Sequence, residues 1–366
     1  MIAVSSLLRG AVYPAMSRVN LFSRRIGTGE VAVLTYHGIL PSGWTSHASP
    51  IEGTLLSAEQ FRQHLRFLKS RYHLISPELF RAWLKDGATL PPRAVLLTCD
   101  DGLLNVLTDM IPILLEESVS CLFFVTGRSL EDRAECLWYE ELYRMLNAAP
   151  EDVLVVVEGK SERKASWSQG NLDECWWKLV QEYSTLKFDD RAAMLRSLRR
   201  EWRLPDDGRY AEDGPGARRY HLLTGRELQR LVAHGMTVGA HTLSHPLLSR
   251  MPSVFAEQEL RECKTRLESF LQQEVWALAY PFGHEGSAGT REMTMAEKSG
   301  YECAFLNCGG GLSRNASLRF GLPRAHVSSH MSLAEVEAHL SGFHESLQRR
   351  FRGERGASPS HQGQTI

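Results

Sequence analysis

The 366-residue sequence lacks an apolar run long enough to cross a membrane, because its richest stretch, Val95–Leu97, has the length of a strand and ends at Thr98. It also lacks an excess of either charge, since 42 lysines and arginines stand against 43 aspartates and glutamates. A balanced chain gives no electrostatic reason to expect a nucleic acid as partner. Its seven cysteines are scattered and form no C-x-x-C pair, which excludes a disulfide framework and a zinc finger and favours a reducing compartment.

The two ends of the chain differ from its centre. Residues 1–30 hold four arginines but no sustained apolar stretch after a positive region, so a secretory signal is not expected. The absence of a clean helical period favours a loosely held basic leader, and weak contact with an anionic membrane surface is the alternative. Residues 351–366 are polar and rich in small residues, which is typical of a disordered tail. These ends predict a cytoplasmic protein that is at most peripheral to the inner membrane.

Between the ends, strand-like and helical segments alternate. Repeated strand–helix–strand units imply a parallel sheet that is either doubly wound or closed into a barrel. In both architectures, chemistry collects at the carboxyl ends of the strands. The most strand-like segments are Val31–Tyr36, Ala94–Thr98, Met236–Ala240 and Ala277–Tyr280. Polar or reactive residues follow each of them, namely His37, Asp100-Asp101, His241 and the turn Tyr280–Gly283.

Residues 128–220 break this alternation. Their patterns are helical and highly charged, and we interpret them as a mainly helical insertion that packs against a main domain spanning 31–350. The insertion is rich in tryptophan, which can form a platform for a sugar ring but more often forms the core of the region that holds it. Its tryptophans are Trp138, Trp167, Trp176, Trp177 and Trp202.

Two short constellations carry the chemistry. Asp100 and Asp101 stand at the end of a buried strand, where burial and mutual repulsion disfavour the ionisation of both carboxylates. A bound cation would keep one of them ionised and leave the other to act as a base. The structural alternative is a strand-to-helix turn with an aspartate as N-cap.

The second constellation is His241-Thr242-Leu243-Ser244-His245, which follows a strand directly. Two imidazoles four positions apart share one face of a helical turn and can bind one metal ion. Together with a carboxylate from a neighbouring strand end, His241 and His245 would form a three-ligand site with open positions for water and substrate. That arrangement is typical of a catalytic metal.

The motifs LLTCDDG, HTLSH and AYPFG, in this order and in these contexts, resemble those of the polysaccharide deacetylase family, the carbohydrate esterases of the NodB-homology type. VLTYHGI near the start is similar to the first strand of the exopolysaccharide-biosynthesis branch. The resemblance covers roughly Val31 to Val327, apart from the insertion, and implies an α/β fold, a distorted (β/α) barrel of about seven strands.

The resemblance also implies roles for the matching residues. Asp100 matches the catalytic base. Three residues match the family's ligands of a divalent metal, which is most often zinc: Asp101, His241 and His245. One wall of the substrate groove matches Tyr280, Pro281, Phe282 and Gly283.

Cys99 replaces the phenylalanine that is common before the two aspartates, as another apolar residue. The family's arginine, its Asp-x-x-Asp-Trp motif and its late leucine-histidine motif, which supplies a general acid, are not evident either. Ala279 stands where many members carry an arginine that orients the base, so another group must hold Asp100, and Arg324 is the candidate. AFLNCGG stands about where the Asp-x-x-Asp-Trp motif would fall. The general acid is His326 or His37, and the structural alternative for His37 is a partly buried histidine bonded to a backbone carbonyl.

The implied activity is removal of an N-acetyl group from an amino sugar of a polysaccharide or its lipid-linked precursor. Asp100 would take a proton from the attacking water, a backbone N–H just after Asp101 would stabilise the oxyanion, and His37 or His326 would protonate the leaving amine. Two other functions stay open. One is a catalytically silent barrel that binds a glycan, and the other is a metal-dependent amidohydrolase or deformylase acting on a small, nucleotide-linked or lipid-linked amide.

Overall fold

The first strand of the barrel, β1 (Glu30–Tyr36), alternates between two apolar environments. Val31 and Val33 belong to a cluster of mainly strand residues in the barrel interior, whereas Ala32 and Leu34 pack in the layer shared with the surrounding helices. This period of two is expected for a strand that is covered on both faces. A computed structural model of the chain describes residues 6–46, 49–128, 130, 135–149, 154–156, 164–166, 172–204, 214–284, 286–309, 311–313 and 319–351.

Neighbouring barrel strands run parallel, in the order β1-β3-β4-β7-β8-β9-β11, and β12 pairs back with β1. Arg324 alone separates β11 from β12, so one short segment joins β9 to β1 and nearly closes the barrel. The predicted distorted (β/α) barrel is therefore confirmed. The strands after β1 are β2 His73–Ile75, β3 Ala94–Cys99, β4 Leu122–Val125, β5 Leu154–Val156, β6 Lys164–Ser166, β7 Thr237–Ala240, β8 Ala277–Ala279, β9 Cys303–Leu306, β10 Gly311–Ser313, β11 Leu322–Pro323 and β12 Ala325–His326.

Helices fill the connections between the strands. Ser57 and Ser332 accept hydrogen bonds from the backbone N–H groups three residues later, so both serines are N-caps of the helices that follow. The α-helices of the described chain are Tyr13–Arg18, Ala58–Arg71, Pro77–Asp86, Ile111–Glu116, Trp138–Ala148, Leu172–Tyr183, Phe188–Glu201, Gly214–Tyr220, Gly225–Ala233, Ser253–Leu271, Thr290–Lys298, Leu333–Leu340 and Phe343–Phe351. Shorter π and 3-10 turns are Leu8–Val12, Ser23–Arg25, Pro50–Glu52, Val106–Met110 and Leu248–Arg250.

The N-terminal segment packs against the C-terminal helices, which corrects the expectation of a loosely held leader. Tyr13 and Phe22 are buried, and their rings contact Phe343 edge-on. The π-helical turn Leu8–Val12 changes the spacing of apolar residues, which explains why no clean period is visible in the sequence. None of the helices among the described residues is long and apolar enough to span a membrane. The predicted disordered tail falls, beyond residue 351, outside the described residues.

The insertion region forms four helices and the antiparallel hairpin β5–β6 among its described residues. Trp138, Trp176 and Trp202 are buried in a core of its own, while Trp177 is 48% exposed. Trp167 lies outside the described residues. Three of the four described tryptophans of the insertion therefore belong to its core, and Trp177 does not.

Candidate active site

The carboxyl ends of the barrel strands bring the predicted residues to one cavity of about 400 Å³. Asp100 and Asp101 follow β3, His241 follows β7, and His37 follows β1, while His326 ends β12. Parallel strands present their carboxyl ends at the same side of the barrel, so residues distant in sequence meet there.

Asp100 faces the interior of the barrel and is ion-paired with Arg324. Every second residue of β3 faces the barrel interior, as Leu96 and Thr98 do. Asp100, two positions after Thr98, faces the same way at the end of the strand. Arg324 donates two hydrogen bonds of 2.7 Å to the carboxylate and a third, of 3.1 Å, to Thr98 Oγ1. Burial would raise the pKa of Asp100, but the guanidinium and the nearby His241 outweigh it and lower that pKa. The carboxylate is therefore ionised at neutral pH.

The barrel core holds Arg324 in place. Its guanidinium lies over the rings of Phe124 and Phe305, 5.2 and 5.7 Å from their centroids. Gly239 on β7 leaves the space that Phe124 fills, because a Cβ there would stand 2.6 Å from the Phe124 ring. The buried guanidinium thus makes cation–π contacts with two aromatic rings and an ion pair with a carboxylate, and these interactions compensate for its removal from water.

Asp101 returns to the cavity through an unusual backbone turn. Its φ is 75°, a left-handed value that a non-glycine residue rarely adopts, and Gly102 has the same φ. This turn directs the Gly102 N–H to the carbonyl of Asp100 at 3.0 Å. The backbone N–H expected just after Asp101 is thus already bonded within the turn, which corrects its predicted role at the oxyanion.

The two histidines converge through an irregular loop and not through the helical turn that their spacing suggested. His241 continues β7, while Thr242 and His245 adopt left-handed φ values of 63° and 56°. The ring centroids of the two histidines are 4.9 Å apart. Strained backbone at four positions of one site, counting Asp101 and Phe282, is characteristic of a constellation fixed for function.

Asp101, His241 and His245 fit a divalent cation. Their ligand atoms lie within 4.8 Å of one another, and Asp101 Oδ1 is 3.5 Å and 3.4 Å from the two Nε2 atoms. His241 Nδ1 donates to the carbonyl of Ala279 at 2.8 Å, so its Nε2 carries a lone pair. Asp101 Oδ1 is buried without a hydrogen-bond partner in the described chain. Buried lone pairs that converge in this way suit a metal ion among them.

His37 and His326 form a pair that also lines the cavity. Their rings meet edge-to-face with centroids 4.9 Å apart. His37 Nδ1 is buried and has no hydrogen-bond partner among the described residues, so the carbonyl-bonded alternative has no support there. Burial, and then the neighbouring His37, lower the pKa of His326 to about 3. His326 is therefore neutral at physiological pH.

Of the predicted groove wall, one side chain faces the cavity. Phe282 lines it and packs edge-on against His245, with ring centroids 5.1 Å apart. Tyr280 is buried, and its hydroxyl donates to the carbonyl of Phe320 outside the cavity. Pro281 is buried, and Gly283 supplies a left-handed turn (φ 63°) that accepts a hydrogen bond from the N–H of Asn307.

Three further residues of the lining were not singled out from the sequence. Tyr139 places its hydroxyl 3.5 Å from Asp101 Oδ2, and Glu140 lies beside it, bonded to buried Arg219 at 3.0 Å. Asn307, in the AFLNCGG stretch, also lines the cavity, and its Oδ1 is buried without a partner in the described chain. Nothing in the helical pattern of 138–148 distinguishes Tyr139 from a core aromatic.

The insertion also braces the histidine loop. Arg191 is 1% exposed and donates to the carbonyl of Ser244 at 2.5 Å and to its hydroxyl at 2.9 Å. Glu259 accepts from the same serine's N–H and hydroxyl, at 2.8 and 2.6 Å. Trp138 Nε1 donates to the carbonyl of His245 at 2.9 Å. A charged residue at a buried position of the apolar stripe of its helix is the signal that could have revealed Arg191.

The fold and the site define a (β/α)-barrel protein with a buried, ion-paired carboxylate beside a candidate three-ligand metal centre, an arrangement also typical of metal-dependent hydrolases. The family profile described as polysaccharide deacetylase matches residues 208–304. Over this range, about a quarter of the chain, the sequence is similar to the polysaccharide deacetylase family that its motifs resemble.

Individual relatives agree with this family and fold. YxkH of Bacillus subtilis (strain 168), provisionally named a polysaccharide deacetylase, is 25% identical over 123 residues, which are 34% of this chain and 43% of that protein. The match thus spans less than half of its length. The Streptococcus pyogenes deacetylase PplD in complex with acetate has a TM-score of 0.53 and 17% identity, covering 86% of this chain and 99% of PplD. IcaB from Ammonifex degensii has a TM-score of 0.53 and 18% identity, covering 86% and 97%. At these identities the structures establish the fold.

Proposed function

We propose that the chain is a metal-dependent hydrolase that removes an N-acetyl group from an amino sugar of a polysaccharide or its lipid-linked precursor. The observation that carries this proposal is the ionised Asp100, paired with Arg324, directly beside the cluster of Asp101, His241 and His245. The family and the names of its relatives, which include deacetylases, support the same substrate class.

The cluster would hold the divalent cation, and zinc suits its nitrogen and oxygen ligands. When bound, such an ion polarises an acyl carbonyl and lowers the pKa of water to about 7. His241 is oriented for this by its bond to the Ala279 carbonyl, and His245 by the bonds to its loop. Asp101 would contribute its Oδ1 atom, which accepts no hydrogen bond from the described residues.

Asp100 acts as the general base and takes the proton of the attacking water. Its two bonds from Arg324 fix the carboxylate and keep it ionised until substrate arrives. We assign delivery of a proton to the leaving amine to His37, because the pKa of about 3 leaves His326 without a proton to spare at neutral pH. His326 lies against His37 and positions its ring.

The pairing of Arg324 with Asp100 supports an enzyme over a catalytically silent glycan-binding barrel. The missing family arginine was one of the two reasons to consider the silent barrel, and the unclear motif of the general acid was the other. The amidohydrolase or deformylase alternative is distinguished by substrate. The location at the cytoplasmic face of an inner membrane, and weak contact of the N-terminal segment with that membrane, remain predictions.

The test is release of acetate from N-acetylated oligosaccharides by metal-loaded protein, measured beside a panel of small formamides. We expect acetate from the oligosaccharides only, and none from an Asp100→Asn variant that retains its metal. Turnover of the formamides alone would replace the proposal with the amidohydrolase. Metal binding and glycan binding without turnover of any substrate would favour the silent barrel.

A further inference from the structure

An exposed tryptophan lies at the wall of the cavity. Trp177 is 48% exposed, whereas its neighbour Trp176 is 7% exposed, and both line the cavity. An indole ring that stays in contact with water lacks the stabilising free energy that burial in the adjacent core would give. Exposed aromatic surface in such a place is characteristic of ligand binding.

A chain of contacts connects Trp177 to the candidate metal ligands. Tyr139 Oη is 3.5 Å from Asp101 Oδ2, and Trp176 Nε1 donates to the carbonyl of Tyr139 at 2.7 Å. The rings of Trp176 and Trp177 are 5.7 Å apart. Trp177 therefore stands two side chains beyond the residue that contacts Asp101, on the insertion side of the same cavity.

The platform is rigid. Trp177 lies on the helix Leu172–Tyr183, whose residues Cys175, Leu179 and Tyr183 are buried in the insertion core. Trp176 is fixed by its hydrogen bond and by edge-to-face packing on Tyr143, with centroids 5.5 Å apart. A ring presented by a packed helix loses little conformational entropy on binding.

The rest of the lining suits a sugar ring. Pro50 and Ile51 supply apolar surface, while Thr54, His284 and Asn307 supply hydrogen-bonding groups. A pyranose has apolar C–H faces and hydroxyls at its edges, so it matches one aromatic face together with a few polar groups.

We infer that Trp177 forms a binding subsite for a second sugar residue of the substrate, next to the residue whose acyl group reaches Asp101, His241 and His245. The substrate class is then an oligomeric or polymeric glycan and not a single amino sugar. This inference rests on the proposed function for the identity of the substrate, but binding can be measured apart from turnover.

The experiment is calorimetric titration of metal-loaded protein with N-acetylglucosamine oligomers of one, three and five units, in parallel with acetate release. Trp177→Ala should weaken binding of the five-unit oligomer about tenfold, and Trp177→Phe should restore part of the loss. Binding of the monosaccharide should not change. Leu115→Ala is the matched control, since Leu115 is 46% exposed but does not line the cavity.

Equal affinity of wild type and Trp177→Ala for the five-unit oligomer overturns the inference, even where both release acetate at the same rate. Binding that depends on Trp177 without any acetate release supports the subsite and contradicts the proposed function. An absence of both binding and acetate release with every oligomer overturns the two together.

Discussion

Asp100 and Asp101 are adjacent in sequence but depend on different parts of the molecule. Among the described residues, barrel side chains hold Asp100: Arg324 donates to its carboxylate, and Thr98 accepts a hydrogen bond from Arg324. The insertion contacts Asp101 through Tyr139 and reaches the His245 loop through hydrogen bonds from Trp138, on the same helix, and from Arg191, on a second helix. Asp100 thus depends on contacts within the barrel, whereas the candidate ligand cluster is also stabilised by contacts from the insertion.

Because Asp100 and Asp101 depend on different contacts, the ionisation of Asp100 and the metal affinity of the cluster can be changed separately. Changes in the barrel interior should alter proton transfer and global stability with little effect on metal affinity. Changes in the insertion should alter metal affinity while the base stays ionised.

The largest expected effects come from substitutions of Asp100 and of the candidate metal ligand His241. Asp100→Asn should lower turnover by about 10²–10⁴-fold while metal content, measured by elemental mass spectrometry, stays at the wild-type level. His241→Ala should lose metal and turnover together. An Asp100→Asn protein that purifies without metal, although wild type retains it, would contradict the division of roles.

Removing Arg324 should be the most damaging change in the barrel. Arg324→Met leaves a buried carboxylate without its partner and should lower the free energy of unfolding by about 3–5 kcal/mol, measured by urea denaturation. Arg66→Met is the control, because its surface ion pair with Glu117 should contribute at most about 1 kcal/mol.

The same variant makes a prediction about pH. In the wild type the folded pKa of Asp100 lies below its usual 3.8, so the carboxylate contributes stability above that pH and loses it as pH falls through the folded pKa. Without Arg324, burial raises this pKa, and the variant's deficit should grow as pH rises from about 4 towards 7. A deficit independent of pH would mean that Arg324 acts through packing alone.

A smaller effect should follow from loss of the hydrogen bonds between Arg191 and Ser244. Arg191→Met removes both bonds to Ser244 and should weaken metal affinity by about tenfold, measured by competition with a chromophoric chelator. Arg196→Met, on the exposed face of the same helix, should leave affinity unchanged. Equal affinities for the two variants would show that the barrel alone positions the histidine loop.

The smallest effect concerns the long contact between Tyr139 and Asp101. Tyr139→Phe keeps the ring against His245 and removes only the hydroxyl, so metal affinity should fall about threefold. A loss as large as that of Arg191→Met would move the main support of the ligand cluster from the loop to the tyrosine.

The sequence allowed the barrel and the strand-end residues to be predicted because both depend on local patterns. Asp100, Asp101 and His241 directly follow strands, and the alternation of β3 determines which way Asp100 faces. The path of the loop to His245 was predicted as helical, since spacing alone does not reveal left-handed residues at Thr242 and His245.

The insertion was harder to predict, for a physical reason. A helical pattern shows which face is buried but not what it is buried against, so Tyr139 and Arg191 could not be connected to the site. Arg324 was a candidate only because the usual arginine was absent. Its contact with Asp100 spans 224 positions along the chain and depends on closure of the barrel.

Closure gives the segment Leu322–His326 a double role. The same five residues join β9 to β1 and deliver Arg324 to Asp100. A growing or truncated chain that ends before this segment has an open barrel and a carboxylate without its cation. Asp100 therefore acquires its charge partner only when this last segment pairs with β1, so completion of the barrel and formation of the buried ion pair are one folding event.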